Sequence, residues 1–292
     1  MSFEERALKA GLTIDKPGCF TYSDKLSCVR YKQLQTVDEE KVPYLAIFTK
    51  GPNDSEDLYD YRSYVSDAYQ FIGNETVNGR IRDSIGEVGT PIFKEYTLLP
   101  YPYTEMYNEI VIQNSSNVPS VGDVYPQLVV RNSYNGMRAA SVIFGINVRG
   151  VANFGFGFRQ FGTIRQVHLD KSKSVLSAAV GDYINVFSQS IVSLIEDNFN
   201  NELTEDDIMK TLELVEKIGK KRRLEISASL EEATGDKRVT SWDLFHVICR
   251  YSSIQNNLNV RVLLENVAES VLVVPMKMMT VLSVINSRKK TE

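Results

Sequence analysis

Hydrophobic positions change rhythm twice along the chain. Over the first fifty residues, short apolar runs such as CFTYS and VPYLAIFTK alternate with turn formers, and they predict strands in a β-rich region covering residues 1–54. The stretch GPNDSEDLYDYRSYVSDAYQFIG then spaces Leu58, Tyr61, Val65, Ala68 and Ile72 by three or four residues. That spacing predicts a helix with one buried face, its other face carrying Glu56, Asp57, Asp60 and Asp67. A turn-rich segment follows to about Pro102.

The β signal is strongest in the middle. EMYNEIVIQN, PQLVVRN, RAASVIFGINVRG and VANFGFGFRQFGTIRQVHL are successive β-prone runs, the first two separated by the loop-like SSNVPSVGDVY. Asn135-Gly136 offers the positive φ angles of a tight hairpin turn, so strands are expected to run out on either side of it. Gly155, Gly157 and Gly162 interrupt the last run and fit a bent or bulged strand.

Beyond about residue 174 the period becomes helical. Leu176, Val180, Tyr183, Ile184, Phe187, Ile191, Leu194 and Ile195 form one stripe of a long helix. Thr204 precedes EDDIMKTLELVEKIG as an N-cap, with Asp207 at the reciprocal box position and Gly219 at the end. KKRR interrupts at residues 220–223, Thr240 or Ser241 caps WDLFHVICRYSSIQ, and Val260, Leu264, Val267 and Val271 mark a further helix that stops near Pro275. The sum is an α+β protein: a central antiparallel sheet of hairpins, a helix before it, and a C-terminal helical bundle packed on it. Residues 55–272 form the core of this reading and residues 273–292 a tail.

Composition narrows the chemistry. With 292 residues and 43% hydrophobic content the chain can bury a substantial core. MSFEERALKAGLTIDKPG has charges where an export signal needs an apolar run, so a cytoplasmic location is expected. Cys19, Cys28 and Cys249 show no paired short spacing, and the two histidines, His168 and His246, stand apart from them, so neither a metal centre nor a cofactor is expected. His246 sits between Phe245 and Val247, a core or interface position. His168 follows a basic strand within reach of a phosphate, or is a bystander there. No Gly-x-Ser-x-Gly elbow occurs, and the glycines of FGFGFRQFG lack phosphate-loop spacing. The triplet Glu39-Glu40-Lys41 is the one fragment resembling a nuclease centre.

Charge is distributed unevenly. The chain carries −4 overall, yet from Val124 to Gly181 seven basic residues meet one acid, Asp170, a local charge of +6. Aromatic and basic residues interleave there, the combination that holds single-stranded nucleic acid. The expected phosphate contacts are Arg131, Arg138, Arg149, Arg159, Arg165, Lys171 and Lys173, with Tyr134 and Phe156 stacking on bases. Phe154, Phe156 and Phe158 share one face of an unbroken strand, and that face is either core or stacking platform. The basic residues of GKKRR and GDKRV read as solvated helix ends.

LVVRNSYNGMRAASVIFGINVRGVANFGF, with its Asn132-Ser133-Tyr134-Asn135-Gly136 turn and its Arg149 to Asn153 step, resembles the phage/plasmid-like proteins grouped as domain of unknown function nine hundred and thirty-two. The chain departs from that pattern at Ala152, where the family often has Cys. IRQVHLDKSKS and the segment from Val239 to Leu272, with Trp242 in the expected place, extend the resemblance over residues 55–272. The resemblance implies a phage or mobile-element protein in a host bacterial cytoplasm, with no agreed reaction and a plausible role in DNA metabolism. In outline the pattern is also similar to ring-forming single-strand annealing proteins. The resulting expectation is a non-enzymatic protein of DNA recombination or annealing that binds single-stranded DNA on its basic hairpins. It assembles as a homo-oligomer, the acidic helix near Asp57 to Asp67 facing a neighbour's basic strands. The alternative is a self-assembling structural or host-interaction protein that binds no nucleic acid.

Overall fold

Two antiparallel sheets divide the strands. A computed structural model describes residues 3–9, 11–17, 19–23, 28–50, 59–66, 71–99, 104–119, 121–134, 140–148, 156–157, 163–165, 172–255 and 257–273. After a short helix α1 (Phe3–Lys9), strands β1 (Thr13–Lys16), β2 (Cys19–Ser23), β3 (Cys28–Gln35), β4 (Lys41–Lys50) and β5 (Asp60–Ser66) form a meander in sequence order. Alternation works as strand geometry requires: Phe20, Tyr22, Val29, Tyr31, Leu45, Ile47 and Val65 bury one face, and the residues between them point the other way.

In place of the helix expected around residues 55–72, the described residues at its centre form strand β5. The physical reason is a bulge. Ile47 pairs with Ser63 and Phe48 with Tyr61, so Arg62 is an extra residue in β5. The insertion parts Tyr61 from Val65, which the helical spacing placed on one stripe: Tyr61 stands opposite Phe48 on the outer face and Val65 opposite Leu45 in the core. The N-terminal sheet therefore extends past residue 54, and the acidic oligomerisation helix proposed from the sequence is replaced by a strand whose Asp60 pairs with Arg62 at 2.8 Å.

Helix α2 (Asn74–Glu87) lies in the segment that read as turns. Val77, Ile81 and Ile85 at four-residue steps are its buried stripe, diluted in sequence by Gly79 and Gly86. The second sheet runs β11-β10-β9-β7-β6, from β6 (Ile92–Leu98), β7 (Glu105–Ile112), β9 (Gly122–Ser133), β10 (Ser141–Val148) and β11 (Phe156–Gly157). β8 (Ser116–Val118) pairs with β9, and β12 (Thr163–Arg165) pairs with β10. The strands expected on either side of Asn135-Gly136 are present, Val142 opposite Val130 and Val148 opposite Val124, while the turn itself lies outside the described residues.

Register divides the second sheet into two faces. Met106, Ile110, Leu128, Val130, Val142, Phe144 and Ile146 join the main core with α2 and with α3 (Ser172–Asn200), whose Tyr183 ring packs on Phe144 at 5.0 Å and donates its hydroxyl to the Gly145 carbonyl. Arg82 of α2 holds Glu95 of β6 through two bonds of 2.8 and 3.0 Å, which fixes the helix across the strands. The opposite face carries Tyr107, Glu109, Gln127, Val129, Arg131 and Ile143.

Helices α4 (Glu205–Ile218), α5 (Lys220–Thr234), α6 (Ser241–Ser253) and α7 (Leu258–Ser270) complete the chain. Thr204 with Asp207 forms the reciprocal cap that the sequence predicts, and of the two candidates for the later helix Thr240 is the cap, in a second reciprocal pair with Asp243. KKRR opens α5 instead of interrupting the helices; only Ile226 and Leu230 of α5 are buried, too few for a visible stripe.

The two sheets meet through one aromatic group. Phe71 stacks on Tyr134 at 5.4 Å and meets Tyr22 at 4.8 Å and Tyr31 at 5.6 Å. The Tyr31 hydroxyl donates to the Tyr134 carbonyl at 3.3 Å, and the backbone N–H of Asn74, at the start of α2, donates to the Tyr134 hydroxyl at 2.9 Å. Gly73 is required beside it, since a Cβ there would lie 2.1 Å from the Tyr22 hydroxyl. Replacing Tyr134 by Phe keeps the ring and leaves the buried Asn74 N–H without its acceptor, so a loss of about 1–3 kcal/mol is expected, read as a lower urea midpoint at unchanged slope.

Candidate nucleic-acid interface

The structure removes two residues from the expected DNA surface. Tyr134 is fully buried in the junction between the sheets, so its ring stacks on Phe71 and no base can reach it. Arg131 is neutralised within the chain: its side chain is 12% exposed and pairs with Glu265 of α7 at 3.3 Å. Both corrections have one physical cause, that aromatic and basic residues in a β run serve a two-sided sheet as readily as a ligand. Arg165 and Arg131 both occupy register positions opposite Ser141, and Phe156 pairs with Ile146; the side chains of Arg165, Phe156 and Lys173 lie outside the description. Arg138, Arg149, Arg159, Lys171, Phe154, Phe158 and His168 fall outside the described residues altogether.

Arg131 belongs to a buried ionic cluster beneath α7. Arg261 pairs with Glu109 of β7 and, at 3.1 Å, with Glu265 one turn along its own helix. The Tyr107 hydroxyl donates to Glu265 at 3.1 Å, and the Tyr107 ring lies 4.7 Å from the Arg261 guanidinium and 5.3 Å from that of Arg131. Burial pushes the Glu109 carboxyl up, with Arg261 pulling the other way. For Arg261, burial opposes the charge, but Tyr107, Glu109 and Glu265 outweigh it and raise its pKa. α7 is thus held on the far face of the second sheet by charges, with Val262 packing among Tyr107, Val129 and Ile143.

An aromatic and basic surface does exist, in the other sheet. The bulge in β5 and the alternation of β3 and β4 send Arg30, Lys32, Tyr44, Phe48, Lys50, Tyr61 and Tyr64 to the face opposite the N-terminal core. In register, Arg30 stands opposite Phe48, which stands opposite Tyr61; Lys32 stands opposite Ala46, which stands opposite Tyr64. Cations therefore run along β3 and rings along β4 and β5, with the small Ala46 between Tyr44 and Phe48. Tyr44 meets Tyr64 edge-on at 5.6 Å, and Phe48 meets Tyr61 at 5.8 Å.

The rim is built in the same way. The Arg30 guanidinium sits 4.0 Å over the Tyr59 ring and donates to the Thr21 hydroxyl at 3.3 Å, while Lys50 lies 5.5 Å from the same ring. Neither β3 nor β4 contains an acidic residue. Sequence reading missed this surface because two of its rings, Tyr61 and Tyr64, come from a segment taken for a helix. The signal was present in the repeated tyrosines of YDYRSY beside the lysines and arginine of β3 and β4.

The remaining candidates are placed as follows. Glu39 and Glu40 occupy the exposed β3–β4 turn, where Glu39 adopts φ 63° and the Glu39 N–H donates to the Thr36 carbonyl at 3.1 Å. Among the described residues no group of three or more His, Cys, Asp or Glu side chains is arranged to hold a metal ion. No single helix among them is long and apolar enough to cross a membrane. His246 is a packing residue, its ring parallel to that of Trp242 at 6.2 Å.

No family model, curated protein or solved structure matches this chain.

Two outcomes follow from this geometry. Arg131→Ala lowers stability by about 1.5–3 kcal/mol in denaturant titration, the range of hydrogen bonds to charged groups, which a merely exposed phosphate contact would not do. The second concerns His246, whose pKa is held below its ordinary 6.5 by burial, with Arg250 adding to the effect and Asp243 opposing it. The unfolded chain takes up the proton first, so the contribution of His246 is complete above pH 6.5 and is lost as the pH falls from there through the folded pKa. In His246→Gln this part of the stability profile flattens, as measured by denaturant midpoints between pH 7 and pH 5.

Proposed function

We propose that this protein binds single-stranded DNA, without catalysing a reaction, on the outer face of its N-terminal sheet. The observation that carries the reading is the exposure of Tyr44, Tyr61 and Tyr64, at 45%, 57% and 61%, on a face to which β3 and β4 contribute Arg30, Lys32 and Lys50. Burying such rings elsewhere in the fold would have been favourable by about 1.5–3 kcal/mol each, so a face that leaves three of them in water is suited to a partner with flat apolar surfaces. Bases supply those surfaces and phosphates supply the complementary charge. The cations of β3 run beside the aromatic rows, as a strand with its backbone along β3 and its bases over β4 and β5 requires.

The setting, DNA metabolism in a phage or mobile element with a role in annealing or recombination, is the part of the proposal that rests on the resemblance of residues 55–272. The cytoplasm of a bacterial host and assembly into a homo-oligomer belong to the same part. Self-assembly through the tyrosine face, with no nucleic acid, is the competing occupant.

Fluorescence anisotropy with a labelled oligothymidylate, alongside mass measurement in solution, separates the two. Tyr64→Ala is expected to weaken binding by about 1–3 kcal/mol, roughly 5- to 150-fold, and Tyr61→Ala similarly. Three phosphate contacts give a slope of about −2 in log affinity against log salt, which Lys32→Glu reduces. Absence of binding at low salt, or a mass that rises with protein concentration and falls in Tyr64→Ala while DNA has no effect, overturns the proposal.

A further inference from the structure

Side chains on the outer face of the N-terminal sheet fall into rows with a regular pitch. Cys28 pairs with Lys50; Arg30 pairs with Phe48, and Phe48 with Tyr61; Lys32 pairs with Ala46, and Ala46 with Tyr64; Tyr44 pairs with Ser66. In order along the sheet the rows therefore carry a cation (Lys50), a cation and an exposed ring (Arg30, Tyr61), a cation and an exposed ring (Lys32, Tyr64), and an exposed ring (Tyr44). Each row lies two residues from the next, about 6.6 Å at the usual rise of a strand. The bulge at Arg62 keeps Tyr61 in step with Phe48.

Pitch and order both suit a drawn-out strand. Neighbouring phosphates of one strand in a duplex are about 3.4 Å apart along the axis, so a nucleic acid that sets one nucleotide on each row is stretched to about twice that spacing, with its bases parted. Along such a strand each base has a phosphate one step behind it, and each exposed ring here has a cation one row behind it. The positions are braced within the sheet. Tyr44 stands edge-on to Tyr64, their planes 88° apart, and Tyr61 meets Phe48 at 68°. The Tyr59 ring, 4.0 Å from the Arg30 guanidinium and 5.5 Å from the Lys50 ammonium, holds these two like charges side by side. Among the described residues, the β3–β4 turn beyond Tyr44 sets Asp38, Glu39 and Glu40 against Lys41, an acidic excess at the end that offers a ring and no cation row.

We propose that this face takes its strand in extended, unstacked form, one nucleotide per row, with a footprint of three bases and three phosphates. The bases lie on Tyr61, Tyr64 and Tyr44, and the phosphates on Lys50, Arg30 and Lys32. This inference rests on the reading of the tyrosine face as a single-stranded DNA site, and it adds the class of strand selected there: unpaired, readily unstacked, and carrying a phosphate at the Lys50 end. A duplex strand or a tightly stacked single strand keeps its bases too close together to match the rows.

The test uses the full chain at low salt, with oligothymidylates of two to six nucleotides competing against a labelled long oligothymidylate. Affinity rises roughly 5- to 150-fold from the dinucleotide to the trinucleotide, the contribution of one stacked base. From three nucleotides to six it rises only by the number of registers that a three-nucleotide site finds on the longer strand. A terminal phosphate on the trinucleotide, at one end and not the other, tightens binding by roughly two- to fivefold, and Lys50→Gln removes that gain. The responding end, 5′ or 3′, gives the polarity of the bound strand. Oligoadenylate of equal length, whose bases stack more strongly on one another, binds roughly fivefold or more weakly. Affinity that climbs by the stacking factor with every nucleotide from three to six, a terminal phosphate that counts equally or not at all at the two ends, or oligoadenylate binding as tightly as oligothymidylate overturns the one-per-row footprint. Binding of the long strand that Tyr64→Ala weakens leaves the tyrosine face standing in those cases, whereas absence of binding by the long strand overturns both.

Discussion

One ring holds the two halves of this protein in register. Phe71 lies among Tyr22, Tyr31 and Tyr134, and these four side chains come from the first sheet, the link after it and the last residue beyond β9. An apolar contact alone would permit sliding. The two hydrogen bonds at Tyr134, one to its carbonyl and one to its hydroxyl, convert the contact into a fixed seat. From that seat α2 starts, and α2 in turn sets the angle of the second sheet through Arg82 and Glu95. The aromatic chemistry that a sequence reader assigns to ligand binding is here spent on joining layers.

The second sheet shows a different economy on its two faces. Towards α2 and α3 it is mainly apolar, with Glu95, Asn108 and Asn132 held there by hydrogen bonds. Towards α7 it presents acids, arginines and tyrosines, and the helix answers with Arg261 and Glu265. Replacement of such a cluster by hydrocarbon is often neutral or stabilising, so its value lies in specifying one position for α7. Charges that demand particular partners resist a sliding helix in a way that leucines do not. The cost is a set of buried donors that must all be satisfied, and among the described residues the Nε of Arg131 and the Nε2 of Gln127 find no hydrogen-bond partner.

Much of this architecture was legible beforehand, for reasons that can be named. Long strands with strict alternation, such as β9 and β10, and a helix with a reciprocal cap, such as the one begun by Thr204, are governed by local rules and read correctly. Elements whose period is distorted do not. In β5 the helical spacing joined Tyr61 to Val65, which a bulge sets on opposite faces; two glycines masked the stripe of α2, and a nearly polar α5 offered no stripe at all. The site was less legible than the fold, because a residue type announces what a side chain is able to do but not which neighbour reaches it first. Arg131 found Glu265, 134 positions away, and Tyr134 found Phe71; neither encounter leaves a trace in the linear pattern.

The inserted residue in β5 also bears on how this surface tolerates change in length. Because the bulge absorbs Arg62, Tyr61 emerges on the solvent side beside Phe48; with Arg62 kept and the strand paired one to one, Tyr61 would stand opposite Thr49 and turn inward. The bulge is therefore a reserve of length: loss of the Arg62 codon leaves Ser63 opposite Ile47 and Tyr61 opposite Phe48, with both tyrosines of the strand still outward. Point replacement retunes the tyrosine face, and a frame-preserving deletion at this one position straightens the strand beneath it.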